Sequence, residues 1–124
     1  MKKSKAMKWV KALRSGKYKQ ATGFLKVKED SGDCSYCCLG VLGEINKLGD
    51  SFLVSKDLLD SYQVREACNI ATCSGTPFDE EGNVDILLRV KNKYVTFDSL
   101  AYANDNGASF KSIASWIEKN YKFL

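Results

Sequence analysis

One short segment brings together several side chains that bind anions. A guanidinium, two ammonium groups, a phenol and an amide follow one another around a glycine, on Arg14, Lys17, Tyr18, Lys19 and Gln20. Arginine binds a phosphate or carboxylate with its planar fork of N–H groups, and tyrosine stacks on a nucleobase. The alternative is that Arg14 and Lys17 cap the carbonyls of a predicted helix end, which carries partial negative charge. The segment is the candidate anion site of this sequence.

Five cysteines form the second group of chemically capable side chains: Cys34, Cys37, Cys38, Cys68 and Cys73. Their odd number and the intracellular character of the chain argue against a disulfide framework. Cys34-x-x-Cys37 with Cys68-x4-Cys73 would offer four thiolates to zinc, but the second spacing is poor for a zinc site. Cys37 is also a candidate nucleophile, since it falls near a predicted helix N-terminus. We expect free thiols that pack as small hydrophobes.

Most other catalytic chemistry is excluded by composition. The chain has no histidine, which removes Ser-His-Asp and Cys-His activation and histidine-ligated zinc. The acidic run at residues 79–81 lacks partners at metal-ligand spacing, and residues 105–107 are too short for a calcium loop. No glycine-rich phosphate loop is present. The sequence therefore predicts a protein that is not an enzyme and that holds neither a metal nor a cofactor.

The charges are distributed unevenly along the chain. Residues 1–28 contain ten basic residues and no acidic one, whereas residues 29–124 contain nine basic and fifteen acidic residues, a net charge of −6. Such a split indicates an anionic partner, with nucleic acid as one alternative and a solvated lysine-rich surface as another.

The size and composition indicate one domain over residues 1–124. The hydrophobic fraction is 44% and the charged fraction 27%, which are typical of a small soluble globular protein. The basic start is not followed by an apolar run, so we expect no signal peptide, no membrane span and a cytoplasmic location.

Hydrophobic periodicity predicts an α+β fold that is rich in helix, with about four helices and a short antiparallel sheet or hairpins. In the first half, a helix capped by Ser4 and ended by Gly16 precedes a strand or hairpin at residues 18–27. Residues 36–48 form the predicted central buried helix, in which Gly40 and Gly43 allow close packing and Gly49 is the stop. Residues 51–54 are predicted to be extended.

The second half alternates turns with short regular elements. Ser55 or Ser61 caps helical turns, and residues 72–83 form the longest loop. Residues 84–90 and 94–97 form a predicted hairpin around residues 91–93. A short helix over residues 98–104 and a final helix capped by Ser109 complete the chain.

Three blocks together resemble a known family. They are WVKALRSGKYKQ at residues 9–20, YCCLGVL at 36–42, and NDNGASF at 104–110 with IASWIE at 113–118. This combination resembles a family of small proteins encoded by tailed bacteriophages and prophages. Similar proteins more often carry a cysteine where this chain has Gly43, which weakens a redox or metal role for that segment.

The resemblance and the charge split together predict the function. We expect a phage accessory binding protein in the host cytoplasm that engages a host protein or an anionic ligand such as a nucleotide. A small basic nucleic-acid-binding protein is the alternative, and a cysteine-dependent enzyme is a third hypothesis.

Overall fold

The computed structural model describes residues 1–124. Its helices are α1 (Lys3–Arg14), α2 (Cys38–Ile45), α3 (Asp50–Leu53), α4 (Tyr62–Cys68), α5 (Leu100–Asp105) and α6 (Phe110–Asn120), followed by a 3-10 turn at Tyr121–Phe123. Its strands are β1 (Lys19–Gln20), β2 (Lys26–Lys28), β3 (Cys34–Tyr36), β4 (Phe78–Asp79), β5 (Gly82–Asn83), β6 (Ile86–Val90) and β7 (Lys93–Phe97). The predicted α+β class is confirmed, with six α-helices instead of about four.

The central buried element is α2, as the apolar run predicts. Every residue from Cys38 to Gly43 is buried, and Leu42 is fully enclosed. A Cβ atom at Gly40 would overlap the backbone carbonyl of Leu25, so only glycine permits this approach. The helix is shorter than expected. It ends at Ile45, because the Asn46 side chain binds the Leu42 carbonyl at 2.8 Å, well before the predicted stop at Gly49.

A small sheet of three strands covers the start of α2. β3 lies in its middle, parallel to β1 and antiparallel to β2. The prediction of a strand or a hairpin at residues 18–27 is wrong in both forms, since β1 and β2 are separate strands that pair with β3 and not with each other. Leu25 lies between β1 and β2 in the sequence and is buried against Gly40 of α2. This contact keeps the two strands apart.

Two local predictions fail because tertiary contacts override local preference. Ser4 does not cap α1, whose N-cap is Lys2; the Lys2 backbone N–H donates to Asn69 Oδ1 at 2.6 Å. Residues 51–54, predicted to be extended, belong largely to the one-turn helix α3. Asp50 at its start binds Lys26, and Leu53 inserts beside Gly43, so both ends of the turn are fixed.

The C-terminal half follows its sequence signals closely. β6 and β7 form the predicted antiparallel hairpin, but its turn is shorter than the expected one over residues 91–93: it consists of Lys91 and Asn92, which both have positive φ. Ser109 caps α6 by accepting the Ser112 backbone N–H at 3.1 Å, and Ser61 caps α4 in the same way. The predicted long loop contains the small β4–β5 hairpin.

Helix α6 packs along α1 and against β6, which places it between the N-terminal helix and the hairpin. Its buried stripe includes Phe110, Ile113, Ala114 and Ile117, at the three- to four-residue spacing of an amphipathic helix. None of the helices combines the length and the apolar character that a membrane span requires.

Leu42→Ala tests the position of α2 at the centre of the core. Truncating this fully buried side chain should lower the free energy of unfolding by about 2–5 kcal/mol, because a cavity replaces packed methyl groups. Urea unfolding measures the change, and Leu87→Ala is the control, since Leu87 is 57% exposed. Equal effects of the two substitutions would contradict a core built on α2.

Candidate functional site

The guanidinium of Arg14 lies at the C-terminal end of α1 and is used inside the molecule. Its two terminal nitrogens bind the two carboxylate oxygens of Glu118 on α6, at 2.9 and 3.3 Å, and one also reaches Ser115 Oγ at 3.4 Å. The hydrogen bond and the positive charge of Arg14 lower the pKa of Glu118. This exposed bidentate pair fastens α1 to α6.

Gln20 contributes to a polar network below the surface. Its side-chain amide donates to Asn104 Oδ1 at 2.9 Å and to the Ala108 carbonyl at 2.8 Å. Asn104 is 1% exposed; its Oδ1 also accepts the Cys38 backbone N–H, and its Nδ2 donates to the Ala21 carbonyl. The network joins β1, the N-terminus of α2 and the α5–α6 turn.

The other three candidate residues lie in a different environment. Lys17 and Lys19 are exposed and make no ion pair, while Tyr18 is half-buried and its ring meets Tyr36 edge to face at 5.3 Å. The clefts of the molecule do not collect the five residues: Arg14 lines one beside α1, without the other four. Two of the predicted anion ligands thus act as structural links, and two cations stay free in solvent.

The thiols of the central segment are enclosed. Cys37, Cys38 and Cys68 are buried, as expected, and burial raises the pKa of Cys37 and of Cys68 to about 11. Burial also raises the pKa of the Cys38 thiol well above its ordinary value. Cys37 does stand at the N-terminus of α2, but its sulfur accepts the Gly40 N–H at 3.4 Å as the helix cap. Burial therefore raises the pKa of Cys37 more than the helix N-terminus lowers it. The structure contains no cluster of three or more metal-ligating side chains.

A second charged cluster is internally neutralised. Lys26 is 7% exposed and binds Asp50 at 2.7 Å and Glu44 at 3.4 Å. Burial lowers the pKa of Lys26, but the hydrogen bond to Asp50 and the charge of Glu44 outweigh it, so the net change is upward. Lys28 also contacts Asp50. These pairs hold β2 to α2 and α3 and leave little free charge for a ligand.

The largest open concavity is the β6–α6 cleft, with a volume of about 560 Å³. One wall is strand β6 with the residue before it, contributed by Asp85, Leu87, Leu88 and Arg89. The other wall is one face of α6, contributed by Lys111, Ser112, Ser115, Trp116, Lys119 and Asn120. The helical spacing places Lys111, Ser115 and Lys119 in one row along the cleft.

Positive charge dominates this cleft. Arg89, Lys111 and Lys119 line it, Asp85 is the one acidic residue among the lining groups, and none of the three cations belongs to an ion pair. Arg89 makes only a long hydrogen bond to Asn92, at 3.4 Å. Unpaired cations around a concave surface attract an anion and supply charge-assisted hydrogen bonds.

The cleft residues carry no signal in the sequence that marks them as one site. Arg89 and Lys111 lie more than twenty positions apart, and neither belongs to a basic run. The one signal available was the polar face of the final helix, on which Lys111, Ser115 and Lys119 recur at intervals of four. Only the packing of β6 beside α6 converts that face into one wall of a site.

Comparison with known families gives one match. A family model described as a domain of unknown function, DUF8296, matches residues 1–121, from the start of the chain to the first residue after α6. No curated protein and no solved structure matches the chain.

Thiol accessibility tests the structural role of the cysteines. In the native protein at pH 8, Cys34 and Cys73, which are half-buried, should react with a thiol reagent, while Cys37, Cys38 and Cys68 should react only in denaturant. Burial blocks access and the raised pKa keeps the thiolate fraction low. Mass spectrometry after labelling assigns the sites. Rapid native labelling of Cys37 would restore it as a candidate nucleophile.

Proposed function

We propose that this chain, which belongs to the DUF8296 family, is a binding protein without enzymatic activity that takes an anionic partner in the β6–α6 cleft. The observation that carries the proposal is that Arg89, Lys111 and Lys119 line one concave surface and that none of them forms an ion pair. The other buried or bridging charges of the molecule, such as Lys26 and Arg14, already have carboxylate partners.

The chemistry of the side chains supports binding over catalysis. The chain has no histidine, and the thiol at the N-terminus of α2 is buried with a raised pKa. A nucleophile needs an accessible group with a lowered pKa or a neighbouring base. The cleft offers cations, hydroxyls and an amide, which are groups that hold and orient an anion.

The biological setting that we propose follows from the resemblance of the three sequence blocks to phage proteins. In that setting the chain acts in the bacterial cytoplasm on a host protein or on an anionic ligand such as a nucleotide. The five free cysteines agree with a reducing compartment.

Neutralising the cleft tests the proposed site. Lys111→Gln with Lys119→Gln should weaken the binding of an anion by about tenfold or more, because hydrogen bonds to charged groups contribute about 1.5–3 kcal/mol each. The probes are a panel of cyclic and linear nucleotides and a short poly-L-glutamate. Thermal shift detects them, since a ligand at about 100 times its Kd adds about 2.7 kcal/mol of stability.

The matched control is Lys17→Gln with Lys19→Gln, which removes the same charge from the segment chosen by sequence alone. It should leave probe binding close to that of the parent protein. If this control loses probe binding while the cleft variant retains it, the anion site lies at residues 14–20 and not in the cleft. Absence of a shift with every probe would refute the anion site.

Nucleic-acid binding is a second candidate function, favoured by the surface of α1. Lys2, Lys3, Lys8 and Lys11 are exposed and none forms an ion pair. Against it, Arg14, Lys26 and Lys28 from the same basic third of the chain are neutralised by carboxylates.

Salt dependence distinguishes this second function. If α1 lies along phosphates, the affinity for random duplex DNA should fall steeply as salt rises, because each neutralised phosphate releases about one counterion. Lys8→Gln with Lys11→Gln should then reduce the slope of log K against log salt by about two. Fluorescence anisotropy with a labelled duplex measures both. An unchanged slope would exclude α1 as a nucleic-acid surface.

A further inference from the structure

The cleft runs along an unpaired strand edge. β6 pairs with β7 on one side only, and the hairpin has no third strand. The lining of the β6–α6 cleft includes four residues of the β6 wall and none of β7. Since β7 occupies one edge of β6, a groove that β7 does not reach lies at the opposite, free edge.

The register identifies the backbone groups that point into the groove. Lys91 and Asn92 have φ values of 49° and 66°, which define a two-residue type I′ turn closed by the hydrogen-bonded pair Val90–Lys93. Hydrogen-bonded and non-hydrogen-bonded pairs alternate along an antiparallel ladder. Leu87 and Arg89 are therefore in non-hydrogen-bonded pairs, and their N–H and C=O groups face away from β7.

Those groups have no partner elsewhere in the molecule. No backbone hydrogen bond outside the hairpin and no side-chain hydrogen bond uses the N–H or C=O of Leu87 or Arg89. A row of unpaired backbone donors and acceptors beside a helix is the arrangement that receives an added strand.

The cations on the opposite wall match the spacing of an extended chain. Lys111 and Lys119 are eight residues apart on α6, which separates them by about 12 Å along the helix axis. Residues i and i+4 of an extended peptide lie on one face and are separated by about 13 Å. Two carboxylates at that spacing would reach the two ammonium groups.

We propose that an extended acidic segment of a partner protein adds as a strand to the free edge of β6, with its carboxylates on Lys111 and Lys119. This inference rests on the proposed function, because it uses the same cleft and names the class of partner. The unpaired backbone edge of β6 favours a peptide over a nucleotide, because only a peptide can add as a strand. Trp116 is 8% exposed, so little of its ring is available to stack on a base.

Selection from a library of random short peptides displayed on beads provides the probe. The parent protein should retain peptides enriched in pairs of Asp or Glu that are four positions apart. The tightest of these peptides is then synthesised and its affinity measured by anisotropy against the parent protein and two proline variants.

The proline variants act on opposite edges of one residue pair. Leu87→Pro removes an N–H from the free edge of β6 and should weaken binding by about tenfold or more. Thr96→Pro, at the position paired with Leu87, removes an N–H from the outer edge of β7 and should leave the affinity unchanged. Neither substitution removes a bond between β6 and β7, and thermal unfolding checks that both variants fold.

N-methylation of the peptide provides a readout independent of variant folding. A strand that adds to β6 directs every second N–H group of the peptide to β6. Methylation of these N–H groups should therefore abolish binding, whereas methylation of the alternate N–H groups should leave it unchanged.

The outcomes separate this inference from the proposed function. Strand addition is refuted if acidic peptides bind equally well to Leu87→Pro and after methylation at either set of positions. If that binding is lost in Lys111→Gln/Lys119→Gln, the anion cleft is still supported. The peptide partner is refuted if the parent protein does not enrich acidic peptides. In that case, nucleotide binding that is lost in the same lysine variant would still support the cleft as an anion site. Failure of peptides and of every anionic probe refutes both.

Discussion

The buried side-chain amide of Asn104 is the interaction on which the arrangement of the chain depends. It accepts hydrogen bonds from Gln20 and from the backbone of Cys38, and it donates to the carbonyl of Ala21 and to Asp105. Every buried side-chain nitrogen and oxygen of the protein has a partner. Loss of this amide would leave several such groups unpaired, at about 1–3 kcal/mol each. Gln20 from residues 9–20, Cys38 from residues 36–42 and Asn104 from residues 104–110 meet here, so three distant segments of the chain are joined at one amide.

The same region fixes the helices that build the cleft. The indole N–H of Trp9 donates to the Cys38 carbonyl at 2.9 Å, which holds α1 on α2, and Arg14 then binds Glu118 on α6. A residue chosen from the sequence for its affinity for anions is thus satisfied by a carboxylate of its own chain. This pairing holds α6 against α1, while Lys111 and Lys119 of the same helix line the cleft beside β6 and form no ion pair.

Local signals in the sequence were sufficient where one element carries its own pattern. The stripe of α6 with its Ser109 cap and the location of the β6–β7 hairpin are encoded within a few residues, although the expected turn over residues 91–93 is one residue longer than the observed one. Elements that depend on distant partners were not predictable. Leu25 and Lys26 set the order of β1, β3 and β2 and the single turn of α3. The carboxylate partners of Lys26, Glu44 and Asp50, lie eighteen or more positions away along the chain. The cleft joins two elements, so no local pattern predicts it.

The central claim is that an anionic partner binds between β6 and α6 and not along α1. A titration of the 15N-labelled protein with short poly-L-glutamate, followed by two-dimensional NMR, tests it residue by residue. We predict that the largest amide shifts fall at Leu87 and Arg89 and along Lys111–Lys119, with α1 nearly unchanged. Shifts concentrated at Lys8, Lys11, Lys17 and Lys19, with β6 unaffected, would contradict the account.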